Sequence, residues 1–113
     1  MTLRRVALGV VALALAGCGG SSQPPTGDPT VVGTIAGFED AGSRMLVDDG
    51  STCRISFDHG AETRILRDGD DGSDTIEWAD LRSGDGVRVW LDGLMSLGCP
   101  ARGRAAAIAV EAD

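Results

Sequence analysis

The sequence predicts an all-β fold, a small five- to six-stranded antiparallel barrel with one short helical turn, preceded by a signal peptide and a flexible linker. Three observations carry this. Apolar and polar residues alternate with period two in short runs between Val31 and Val110. Gly- and Asp-rich turns separate the runs, and no 12-residue stretch has the period of an amphipathic helix.

The elements follow in order. Val31–Phe38 reads VVGTIAGF, a first strand in which Gly33 and Gly37 mark bends or close backbone approach. A turn over Glu39–Ser43 leads into a second strand at Arg44–Val47, and Asp48-Asp49-Gly50-Ser51 connects this to a third at Thr52–Phe57. There Cys53, Ile55 and Phe57 share one face while Arg54, Ser56 and Asp58 share the other, so Cys53 is expected to face the core. Glu62–Arg67 supplies a short fourth strand around Ile65 and Leu66, Asp68–Asp74 a polar surface loop, and Ile76–Leu81 one helical turn. Ser83-Gly84-Asp85-Gly86 turns the chain into Val87–Leu91, where Val87, Val89 and Leu91 alternate with Arg88, Trp90 and Asp92. Ala105–Glu111 completes the set, with Ile108 and Val110 on one face. These strands are too few for a sandwich, and closure removes exposed edges. The long connection carrying the helical turn before Val87 gives the element order of an OB-like barrel. A partly open curled sheet is the second architecture.

Ahead of the domain stands an export signal. Met1–Arg5 form a positively charged head, and Val6–Ala16 follow as an uncharged run of 11 residues. That run is too short to span a bilayer, which needs roughly 20 apolar residues. Leu15-Ala16-Gly17-Cys18 resembles the lipobox of bacterial lipoproteins, which implies cleavage before Cys18 and attachment of acyl chains to its thiol and new amino terminus. Two or three chains hold firmly where one holds only marginally. An ordinary secretory signal with a chance cysteine is the alternative. The chain thus divides into a signal peptide over 1–17, a lipidated Cys18 with a flexible tether to Pro29, and a barrel domain over 30–113. Gly19–Pro29, GGSSQPPTGDP, has no apolar periodicity and is expected to be disordered, with a reach of roughly 35–40 Å.

Charge narrows the partners. The chain carries 10 basic residues, all Arg, against 17 acids, and loss of Arg4 and Arg5 leaves 8 against 17, a net charge of −9. So acidic a body repels phosphate backbones, which argues against nucleic acid as a partner. Absence of Lys excludes a P-loop and Schiff-base chemistry.

Once Cys18 is lipidated, Cys53 and Cys99 are the remaining thiols, and an extracytoplasmic compartment permits their pairing. They are expected to form a disulfide, a useful staple in so small a domain. Metal ligation fails on arithmetic, since His59 is the one His and no C-x-x-C pair exists. Two buried free thiols are the alternative.

From Val31 to Val110 the chain resembles the YobA-like and related uncharacterised bacterial lipoprotein domains. The resemblance is carried by Trp78-Ala79-Asp80-Leu81-Arg82-Ser83-Gly84-Asp85, by Val87-Arg88-Val89-Trp90-Leu91-Asp92-Gly93, and by the small-residue run from Pro100 to Val110. It implies a small barrel without established catalytic residues. Cys99 stands where an aromatic residue is more usual, a departure that favours the disulfide.

Candidate chemistry is sparse. Asp68-Gly69-Asp70-Asp71-Gly72-Ser73-Asp74 offers oxygens to calcium, but Gly72 at the fifth position and Ala79 at the twelfth break the EF-hand pattern, which leaves a weak irregular site against a solvated turn. Asp58-His59 is half of a nucleophile-activating arrangement, yet no Gly-x-Ser-x-Gly elbow accompanies it. Trp90 is either an exposed stacking platform or a packing residue, and packing is expected. No catalytic residue, metal ligand or cofactor is assigned. The expected function is a non-enzymatic binding or interaction module of the cell envelope, lipid-anchored through Cys18 and presenting the barrel to a protein, peptide or glycan, with the Cys53–Cys99 disulfide as its staple. A small-ligand or calcium binder is the alternative, and a hydrolase stands behind both.

Overall fold

The predicted alternation becomes a closed barrel in a computed structural model of the chain, which describes residues 23–69 and 72–112. The signal peptide and Cys18 lie outside the described residues. Seven strands are present among those described: β1 (Val31–Glu39), β2 (Arg44–Asp48), β3 (Ile55–Asp58), β4 (Arg64–Gly69), β5 (Gly72–Thr75), β6 (Gly86–Leu91) and β7 (Ala101–Val110). Two 3-10 turns, Asp40–Gly42 and Trp78–Asp80, are the only helical elements among them.

Five strands close the barrel in the circuit β1-β2-β3-β7-β6 and back to β1, while the β4–β5 hairpin extends the sheet beyond β7. This is the OB-like order. Most pairings are antiparallel, but β7 runs parallel to β3 and then to β4 along one edge. A parallel pair needs a long crossover, and the chain between β3 and β7 supplies it. Where β3 ends and β4 has not begun, Thr63 bridges the gap. Its hydroxyl donates to the Ala105 carbonyl at 2.7 Å and accepts the Gly60 N–H at 2.9 Å. Thr63→Val leaves both backbone groups without that partner, for an expected loss of about 1–3 kcal/mol read from the urea midpoint. A loss near zero would show that the hydroxyl carries no ladder bond.

The core lies inside the barrel. Val31, Ile35, Met45, Val47, Ile55, Phe57, Val87, Val89, Ile108 and Val110 are all buried there. Leu81, 3% exposed, follows the Trp78–Asp80 turn into this core, with Ile76 and Trp78 packed beside it. Gly33 permits the close approach of β1 to β2. A Cβ there would collide with the Asp48 carbonyl oxygen and stand 2.9 Å from Val47 Cγ1.

Several sequence expectations are corrected. Cys53 does not face the core, because β3 begins only at Ile55 and Cys53 is half-buried in the preceding connection. The Ser51 hydroxyl oxygen lies 2.8 Å from the Cys53 carbonyl oxygen in that connection. The expected loop at Asp68–Asp74 contains strand β5, whose polar residues pair through backbone with β4 from Leu66↔Thr75 to Gly69↔Gly72. Strand β7 begins at Ala101, four residues earlier than its apolar run suggests, because β3 supplies a partner for Ala101–Arg104.

The described part of the tether segment touches the barrel. Gln23–Pro29 forms a strap across β6, β7 and β4: the Gln23 carbonyl accepts from Arg64 at 2.9 Å, and the Gly27 carbonyl accepts from Trp90 Nε1 at 3.3 Å. At its end, the Thr30 N–H donates to the Val89 carbonyl at 2.8 Å. Beneath the strap Trp90 packs with fully buried Ala107 and Ala109 on the outside of the barrel, with the Arg88 guanidinium 5.5 Å from its ring centroid. Trp90 is thus a packing residue, and the alanines opposite provide the flat surface it needs.

Candidate functional site

The outer face of β1, β2, β3 and β7 carries the most organised polar chemistry. Side chains two apart on a strand share a face, so the register places Glu39, Arg44, Asp58 and Arg104 in one row of alternating charge. Arg44 lies 3.8 Å from Asp58, and Arg104 lies 3.5 Å from the same carboxylate. A second row contains Leu46, Ser56 and Arg102. Ser56 is the one buried polar residue among those described; its hydroxyl accepts from Arg44 Nε at 2.9 Å and donates to Glu39 at 3.4 Å. Arg44 is thereby fixed from two sides. Opposite charges on neighbouring strands stabilise a sheet by roughly 0.2–1 kcal/mol per pair, so the row's chief effect is to hold the face in one arrangement.

Beside these rows opens a hollow of about 390 Å³, lined in part by Leu46, Asp48, Thr52, Arg54 and the Cys53–Cys99 pair. The disulfide, with Cα atoms 5.3 Å apart, joins the β2–β3 connection to the β6–β7 loop and fixes one wall. Asp49 shapes the adjacent turn by accepting from the Ser51 hydroxyl at 2.6 Å and backbone N–H at 3.0 Å. The Ser51 hydroxyl bond, then the backbone bond, hold its carboxyl below the usual range. A depressed carboxyl contributes stability above its ordinary pKa and loses it as pH falls through the lowered value.

Four of the chain's arginines gather on this face among its carboxylates. Arg44, Arg54, Arg102 and Arg104 face Glu39, Asp48 and Asp58, and neither Arg54 nor Arg102 has a side-chain partner among the described residues. Sequence reading missed these arginines as a group. Their i, i+2 spacing in Arg54/Ser56/Asp58 and Arg102/Arg104 was the available signal, but the grouping needs the β3–β7 register.

The remaining candidates separate. Asp58 turns to Arg44 and Arg104, whereas His59 stacks flat on Trp78, with ring centroids 3.8 Å apart and planes 12° apart. His59 Nδ1 has no hydrogen-bond partner among the described residues, and Asp58 and His59 are not bonded to each other there. Trp78 is pinned in turn by donating Nε1–H to the Gly42 carbonyl at 2.7 Å and meets Phe38 edge-on. In the proposed calcium loop, Asp68 accepts from Arg88 at 2.7 Å and from Ser73 at 3.2 Å, while Asp70 and Asp71 lie outside the described residues. Three or more His, Cys, Asp or Glu in metal-binding array do not occur among the described residues.

No family model, curated protein or solved structure matches the chain. Fold and local chemistry are therefore the grounds for a functional reading.

Proposed function

We propose that the chain is a lipid-anchored, non-enzymatic binding module of the bacterial cell envelope, akin to the YobA-like lipoprotein domains it resembles. Its barrel takes a polar, acid-bearing peptide or glycan segment across the β1-β2-β3-β7 face. One observation carries this reading: Arg54, which lines a disulfide-walled hollow, and Arg102, in the strand row that begins at Leu46 of that hollow, have no side-chain partner among the described residues of a chain with formal net charge −7. Guanidiniums match carboxylates with paired hydrogen bonds, and OB-type barrels commonly bind ligands on this side. Fold alone would not justify the proposal, because one fold hosts many functions.

Binding is tested with a panel of acidic peptides and uronic-acid oligosaccharides. An Arg54→Ser/Arg102→Ser variant is expected to lose about tenfold or more in affinity, as loss of charge-assisted bonds implies, with its thermal midpoint nearly unchanged. Undiminished binding by the variant, or no binding by the parent to any member, sinks the reading. Calcium has less support, since Asp68 is already engaged by Arg88 and Ser73. Anchoring is tested separately. Cys18→Ala is expected to leave the precursor uncut, and normal maturation of that variant would remove the lipoprotein assignment.

A further inference from the structure

Leu94 and Leu97 are each 97% exposed, far more than any other large apolar residue described. They do not stand out through disorder of the β6–β7 loop. Ser96, between them, pairs with Arg102: its N–H donates to the Arg102 carbonyl at 2.8 Å. Met95 turns the other way and packs against the core near Gly103. Gly93 and Gly98 adopt φ values of 89° and 141°, and Cys99 is tied to Cys53 just beyond. The loop is thus built to hold two leucines outward, and Gly93–Pro100 contains no charged residue.

The strap places this loop near the proposed anchor. Its described end, Gln23, is held by Arg64; neighbouring Thr63 is bonded to Ala105, and Arg104 accepts the N–H of Asp92 at the loop's base. Thr63, Asp92, Arg104 and Ala105 line one hollow of about 400 Å³, so strap end and loop base share an edge of the barrel. From Gln23 only five residue steps remain to Cys18, a span of at most about 18 Å. That is about half the reach expected of a free tether. A barrel so strapped is drawn down toward the membrane.

We propose that Leu94 and Leu97 insert into the lipid surface that carries the Cys18 anchor. The proposal rests on the reading of Cys18 as lipidated. An uncharged apolar tip suits the acyl region, while the acidic body favours zwitterionic over anionic headgroups. The loop then acts as a second, non-covalent foothold and fixes which side of the barrel faces outward.

The test uses the full mature chain purified from a lipoprotein-processing host and reconstituted into phosphatidylcholine vesicles. Leu94→Trp adds a reporter, with the parent protein giving the Trp78 and Trp90 background. Bromine placed on the lipid acyl chains is expected to quench the added emission about twofold or more relative to plain vesicles, as burial at the acyl boundary requires. Leu97→Ser in the same chain is expected to reduce that quenching. Equal emission in brominated and plain vesicles overturns insertion, including the case where emission is shielded because two copies of the chain pair through their loops. Intact mass of the same sample separates the two readings. Acyl mass on Cys18 with unquenched emission removes only the insertion; absence of that mass removes the anchor itself and this proposal with it.

Discussion

Replacing both Cys53 and Cys99 by Ala is expected to cost about 4 kcal/mol of folding stability. The bridge closes a loop of sequence separation 46, and in the chain-entropy model that constraint on the unfolded chain gives this magnitude. The native geometry adds a reason for the loss to be fully expressed. The bridge lies just beyond Ile55↔Ala101, where the parallel β3–β7 ladder begins, and so pins the pairing that closes the barrel. For a domain of this size each kcal/mol moves the thermal midpoint by about 4–8 °C, so a fall of about 15–30 °C is expected. Equilibrium denaturation of the parent and the double variant reads the difference. A loss below about 1 kcal/mol would mean that the ladder closes unaided.

Phe57→Ala is expected to cost about 3–5 kcal/mol, through lost burial and the cavity left behind. Phe57 is fully buried and heads the largest such side chains. Its registers explain why the space cannot refill: Met45 stands opposite on β2 and Gly103, with no side chain, stands opposite on β7. The space beside Gly103 is already taken by Leu91 and Met95, which pack against its backbone. Walls on all sides are hydrogen-bonded strands, so they cannot move inward without breaking the circuit. The denaturant midpoint should fall while the slope stays constant, because the surface exposed on unfolding is nearly the same. A cost under about 1.5 kcal/mol would place Phe57 in a site able to collapse.

The apolar half of this architecture is legible in the sequence. Val87, Val89, Ile108 and Val110 alternate cleanly, and each is fully buried. Strand β5 is not legible, because Gly72-Ser73-Asp74-Thr75 contains no apolar residue and pairs with β4 through backbone and the Ser73–Asp68 bond. Ala101–Arg104 hides for a related reason: Arg-Gly-Arg reads as a loop until β3 lies beside it. The candidate face shares this limit. Arg44, Asp58 and Arg104 are remote in sequence and become neighbours only through the closing register. Cysteine counting anticipated the Cys53–Cys99 pair, yet the face of Cys53 was misread because strand periodicity was extended into a connection. The strap was hidden as well, since a proline-rich stretch betrays nothing of the Trp90 that receives it.

The parallel pairing of β7 bears on how the molecule is made. Ala101–Val110 is a wall shared by β3, β4 and β6, so the earlier strands have no way to enclose the interior among themselves. Completion waits for the segment that a ribosome delivers after all the others. A nascent chain therefore stays open-walled until Ala101–Val110 has followed the other described strands.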